Sequence, residues 1–138
     1  MTSETKSHHD LDDQNFLGLL EAGTLEPALF NHEAHIRVGY LYLRDGSFTS
    51  ALDRMRDTLV RFTIIVGAEG KYHETITAAY LALINEQLQR NGDGGGWSGF
   101  IANNPDLLAA DLISRYYDPT TLKSEIARAT FVLPALAA

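Results

Sequence analysis

The strongest constraint on the fold lies in the middle of the chain. Phe48, Ala51, Leu52, Met55, Leu59, Phe62 and Val66 recur at intervals of three and four residues, the repeat of one apolar face of an α-helix. Ser47 stands where a helix cap is needed and Gly67 where such a helix ends. A helix of this length spans roughly 30 Å, which makes it the central strut of a bundle. Met55 reads as core filling. No segment alternates strictly enough to form a sheet.

The flanking sequence supplies further helices. Asp10 or Asp12 caps a first one, with Leu11, Phe16, Leu19 and Leu20 as its apolar positions and Gly23 as its end. Pro27 opens a second that continues to Arg44 and stops at Asp45-Gly46. After the loop Gly67-Ala68-Glu69-Gly70, a fourth runs from Tyr72 to Arg90. A short helix is expected over 97–102. Asn104-Pro105 starts a fifth through Tyr117, and Asp118-Pro119 starts a sixth through about Ala129. The segment from Phe131 to Pro134 reads as an extended tail. Residues 1–9, with His8-His9, read as a flexible N-terminal tail. The expectation is an all-α, single-domain bundle of five or six helices over residues 10–134.

Charge and composition narrow the partners. The 138 residues carry a net charge of −7 without a basic stripe, so nucleic acid is a poor partner. No apolar run is long enough to span a bilayer and the first residues lack a signal pattern, so the expectation is no membrane and a cytoplasmic location. Arg54, Arg56 and Arg61 alternate with Asp53 and Asp57, the pattern of a solvated helix face. The glycines of 92–96 follow no strand and precede no Gly-Lys-Ser/Thr, so they read as a connector, with a mobile lid as the alternative. The chain has no cysteine, which leaves His, Asp, Glu, Tyr and Lys for chemistry.

Three of the five histidines fall on apolar helix faces. In the second helix the wheel puts His32, His35, Ile36, Gly39, Tyr42 and Leu43 inward, with Glu33, Arg37 and Arg44 outward. In the fourth, His73, Ile76, Thr77, Tyr80, Leu83, Ile84 and Leu88 share the inward side, and Glu74 lies at its border. His32-Glu33-Ala34-His35 is not the zinc-protease motif, because its histidines are spaced i, i+3 rather than i, i+4. Two histidines of one helix and a third from its neighbour would nevertheless form a three-histidine site with open positions. The partial positive charge at a helix amino terminus keeps an imidazole neutral, the form that binds metal or acts as a base.

The strings Phe30-x-His32-x-x-His35-Ile36, Lys71-Tyr72-His73-Glu74-Thr75-Ile76-Thr77 and Tyr116-Tyr117...Leu122...Ala127-Arg128...Phe131-Val132...Pro134 resemble a family of small bacterial all-helical proteins of uncharacterised activity. The likeness runs from about residue 28 to 134 and is most specific in the middle string. It implies a common fold and a shared site, with no activity attached.

Together these observations lead to a small-molecule enzyme with a histidine-rich pocket between the second and fourth helices. His73 and Glu74 are the candidate catalytic groups, and Tyr42, Thr77 and Tyr80 the candidate substrate-binding groups. His32, His35 and His73 are the candidate ligands of a divalent zinc, iron or manganese ion, with no other cofactor expected. The alternative is a noncatalytic ligand-binding or interaction module with structural histidines. A small molecule is the expected partner under either reading, and a homodimer is compatible with both.

Overall fold

A computed structural model describes residues 5–134, which form an all-α single domain. Seven α-helices lie within this range: α1 (Asp13–Ala22), α2 (His32–Arg44), α3 (Phe48–Ile65), α4 (Glu74–Asn91), α5 (Trp97–Asn103), α6 (Pro119–Lys123) and α7 (Glu125–Ala129). The core is the mutual packing of α2, α3 and α4, against which α1, α5 and the short C-terminal helices are laid. No described helix is long and apolar enough to cross a membrane.

Caps and terminators place most of the ends where the sequence puts them. Asp12 accepts the Asn15 amide at 2.8 Å and Gly23 closes α1 in the left-handed region at φ 78°. Ser47 accepts the Ser50 amide to start α3. Ala51, Met55 and Leu59 of its apolar face are buried in the shared core. At Gly39 of α2 an added Cβ would lie 2.8 Å from Ile84 Cδ1 of α4, so the missing side chain lets these two helices approach closely.

Three expected helices are broken. Pro27–Leu29 forms only a 3-10 turn, and Asn31 then caps a new helix by accepting the Ala34 amide at 2.9 Å. As a result α2 begins at His32 and carries both of its histidines near its first turn. The expected helix from Pro105 to Tyr117 is instead two 3-10 turns, Pro105–Leu108 and Ile113–Arg115. Leu107 and Leu112 are both buried, yet residues five apart on an α-helix point about 140° away from each other; the break lets both reach the core. The last helix divides at Ser124, whose extended backbone ends α6 and whose hydroxyl caps α7.

The N-terminal segment departs furthest from expectation. Of the expected tail 1–9, residues 1–4 lie outside the described residues, but His8–Asp10 forms a 3-10 turn and the His8 side chain is buried. This segment covers the face of α2 that carries Arg37, so that arginine is buried rather than outward-facing. All five of its N–H groups are used. Nε donates to Asp13 Oδ1, Nη2 to Asp13 Oδ1 and the Leu11 carbonyl, and Nη1 to the His8 carbonyl and His8 Nδ1. The arginine expected on the outward face is therefore an inward one that ties the segment 8–13 to α2. The glycine-rich connector is also tied down, since Tyr40 donates to the Asp93 carbonyl at 3.0 Å and the Asp93 carboxylate accepts the Gly95 amide.

Removing a buried guanidinium strands its partners in the interior. Arg37→Met is expected to cost about 3 kcal/mol of unfolding free energy in urea titrations. A loss below about 1 kcal/mol would show that Arg37 behaves as an ordinary surface charge.

Candidate functional site

The first turn of α2, the middle of α3 and the first half of α4 enclose a pocket of about 350 Å³. Phe30, Ile36, Met55, Leu59, Ile76, Leu81 and Ile84 supply apolar walls; Asn31, His32, His35, Thr77 and Tyr80 supply the polar atoms. The structure thus brings together four of the expected site residues, His32, His35, Thr77 and Tyr80. The apolar wall residues lay outside the sequence reading of the pocket, which put Ile36, Ile76 and Ile84 only on inward helix faces, because an apolar face toward a cavity has the same periodicity as one toward a core.

His35 is the chemically distinct group. Its Nδ1 lies 2.8 Å from the Asn31 carbonyl, which already accepts the His35 backbone amide. A carbonyl only accepts, so Nδ1 carries the proton and Nε2 of the neutral ring is left as a lone pair. Burial pushes the imidazole below its ordinary pKa, with the Asn31 carbonyl opposing and His32 reinforcing that shift. Phe30 stacks on the ring with centroids 3.9 Å apart, and the edge of Phe62 meets Phe30 in turn. His32 is exposed at the rim, its Nε2 donating to the Leu107 carbonyl at 3.3 Å and its ring meeting Tyr80 edge-on.

His73 and Tyr42 do not belong to the pocket. His73 is the N-cap of α4 rather than a residue within it: Nδ1 accepts the Ile76 amide at 3.1 Å, and Nε2 donates to the Leu122 carbonyl at 2.7 Å. With both nitrogens engaged it has no lone pair for a metal or a substrate. The wheel misplaced it by treating a cap as a helical position. Tyr42 is fully buried elsewhere, donating to Glu21 at 2.6 Å and sharing a hydrogen bond with Thr58, while the Arg54 guanidinium lies over its ring.

Glu74 is likewise committed to the fold. Arg56 Nε and Nη2 grip its two carboxylate oxygens and Tyr72 donates to one of them at 2.6 Å. The Arg56 hydrogen bonds hold its carboxyl below the ordinary carboxylate range, against the effect of burial. A carboxylate held low and saturated with donors is a weak base and a poor acid. Thr75 and Thr77 are also engaged: Thr75 Oγ1 donates to the Thr130 carbonyl and accepts the Val132 amide, and Thr77 Oγ1 donates to the His73 carbonyl. The Lys71–Thr77 string is a joint between the start of α4 and the C-terminal segment.

Among the described residues one group of three side chains has ligand atoms close enough together for a metal, and it is His8, His9 and Glu33 rather than His32, His35 and His73. Glu33 Oε1 lies 3.2 Å from His8 Nε2 and 2.6 Å from His9 Nε2. Burial works to raise the Glu33 carboxyl, but the His9 and His8 hydrogen bonds outweigh it and hold it below its ordinary value. The Arg37 guanidinium donates to His8 Nδ1 at 3.2 Å, which places the His8 proton on Nε2, the nitrogen a metal would need. Metal-bound histidines donate from their second nitrogen; they do not accept from a cation. These three residues fit a hydrogen-bonded clasp on the N-terminal segment and do not fit a metal centre.

Comparison with protein-family models, with curated proteins and with solved structures found no match. His73→Ala is expected to lower stability by about 1 kcal/mol through the lost cap, and His73→Asn by less, since asparagine also caps. Urea titration beside ligand binding checks this: loss of function at unchanged stability would return His73 to the site.

Proposed function

We propose that the pocket between α2, α3 and α4 takes a small molecule and that His35 is the group that acts on it. The single observation that carries this reading is the pairing of His35 Nδ1 with the Asn31 carbonyl, which leaves Nε2 free to accept on a ring that lines an otherwise largely apolar pocket. In an enzyme this atom is the general base, since a neutral imidazole oriented through its other nitrogen is the form that removes a proton. In a binding protein the same atom receives the ligand's hydrogen bond. The lowered pKa keeps the ring neutral in either role. Bond inventories for His8, His9 and His73 support a structural role for those three.

The test begins with a ligand screen by NMR on the full chain. His35→Phe keeps the ring that stacks on Phe30 and removes the acceptor, so bound molecules are expected to lose about tenfold or more in affinity. Affinity should hold above the ordinary imidazole pKa of 6.5 and fall in acid as His35 gains a proton, because imidazolium donates and does not accept. Ile76→Trp, which fills the pocket from the partly exposed side of α4, is expected to abolish binding. Ligands unaffected by Ile76→Trp would overturn the pocket assignment; ligands lost there but unaffected by His35→Phe would overturn the role of His35.

A further inference from the structure

The pocket walls contain no Asp, Glu, Lys or Arg. An ionised ligand would therefore lose its hydration without gaining a countercharge, a penalty that excludes carboxylates, phosphates and ammonium ions from the interior. Among the polar groups of the walls, which include the Asn31 amide and the His32 ring, two are set apart as a donor and acceptor pair for a ligand. His35 Nε2 is a bare acceptor, its ring oriented by the Asn31 carbonyl. The Tyr80 hydroxyl is the matching donor: it lines the pocket and makes no hydrogen bond to another group among the described residues. Thr77, the next polar group on the same face of α4, has already given its proton to the His73 carbonyl.

Resting on the function proposed above, we infer that the ligand is an uncharged, compact, largely apolar molecule bearing a hydroxyl group, which donates to His35 Nε2 and accepts from the Tyr80 hydroxyl. One hydroxyl satisfies both atoms, since it carries one proton and two lone pairs. An ether offers only the acceptor and leaves His35 unpaired; a hydrocarbon leaves both unpaired. The volume of about 350 Å³ is at the small end of ligand pockets, which sets the molecule as compact. His35 then contacts the oxygen-bound proton, the proton that a general base at this position would remove.

Two matched series test the chemistry independently of shape. The first is 1-naphthol, 1-methoxynaphthalene, 1-naphthoate and 1-naphthylmethylammonium; the second is 1-octanol, methyl octyl ether, octanoate and octylammonium. Affinities are read from amide shift titrations of the full-length protein at slightly alkaline pH, where His35 is neutral. In at least one series the alcohol or phenol is expected to bind about tenfold or more tightly than its ether and than either ion. His35→Phe and Tyr80→Phe should each erase the preference over the ether, and Ile76→Trp should abolish binding. An ether or an ion that binds as well as the hydroxyl compound overturns the inference and leaves the pocket standing. Absence of binding by every member of both series, or binding unchanged in Ile76→Trp, overturns the pocket itself and this inference with it.

Discussion

Asn31 makes three bonds on which the site depends. Its side chain caps α2 and so starts the helix at His32; its carbonyl accepts both the backbone amide and the Nδ1 proton of His35. The carbonyl holds its place in the helical ladder by accepting the His35 amide at 3.0 Å, and the His35 ring folds back onto the same oxygen at 2.8 Å. Ending the 3-10 turn at Leu29 and restarting at His32 frees the chain to bring Phe30 back across the His35 ring. The same break thus fixes which nitrogen holds the proton, seats the ring and places it on the pocket wall.

The two most conspicuous strings of the sequence meet in the structure, away from His35. Within Lys71–Thr77, His73, Thr75 and Glu74 each spend their polar atoms on the fold, and the last third of the chain supplies three of the partners: the carbonyls of Leu122 and Thr130 and the amide of Val132. Tyr117 reaches the Val132 carbonyl and Arg128 the Gly70 carbonyl, closing the joint from the other side. Short helices of five residues have little stability of their own. Buried side-chain bonds to their connecting backbone hold α6 and α7 on α4. The chemistry-bearing residue types there do structural work, because the open amides and carbonyls at a helix start and in a C-terminal strap need partners.

The sequence made the long elements legible for a physical reason. α1 and α3 combine an apolar stripe with a capping side chain and a terminating glycine, and these signals agree; α4 carries the stripe and ends just before Gly92, but its cap is His73. The broken segments at 105–117 and 119–129 looked continuous because a proline at N1 announces a start but carries no information about length. Four pocket residues were legible from the wheel: His32, His35, Thr77 and Tyr80. Arg37 was not, since a wheel sorts by polarity and cannot show that residues 8–13 would fold over a polar face and offer it two carbonyls and a carboxylate. His73 was misjudged because histidine is an unusual N-cap. Asn31, a common one, was the available signal for where α2 begins.

The central claim is a statement about one proton. Long-range nitrogen–proton correlation spectra of the histidine rings at slightly alkaline pH report which nitrogen of each ring is protonated. The structure predicts the Nδ1–H form for His35 and the Nε2–H form for His8 and His73. Finding His35 in the Nε2–H form, or as imidazolium under those conditions, would remove the acceptor from the pocket and contradict the account.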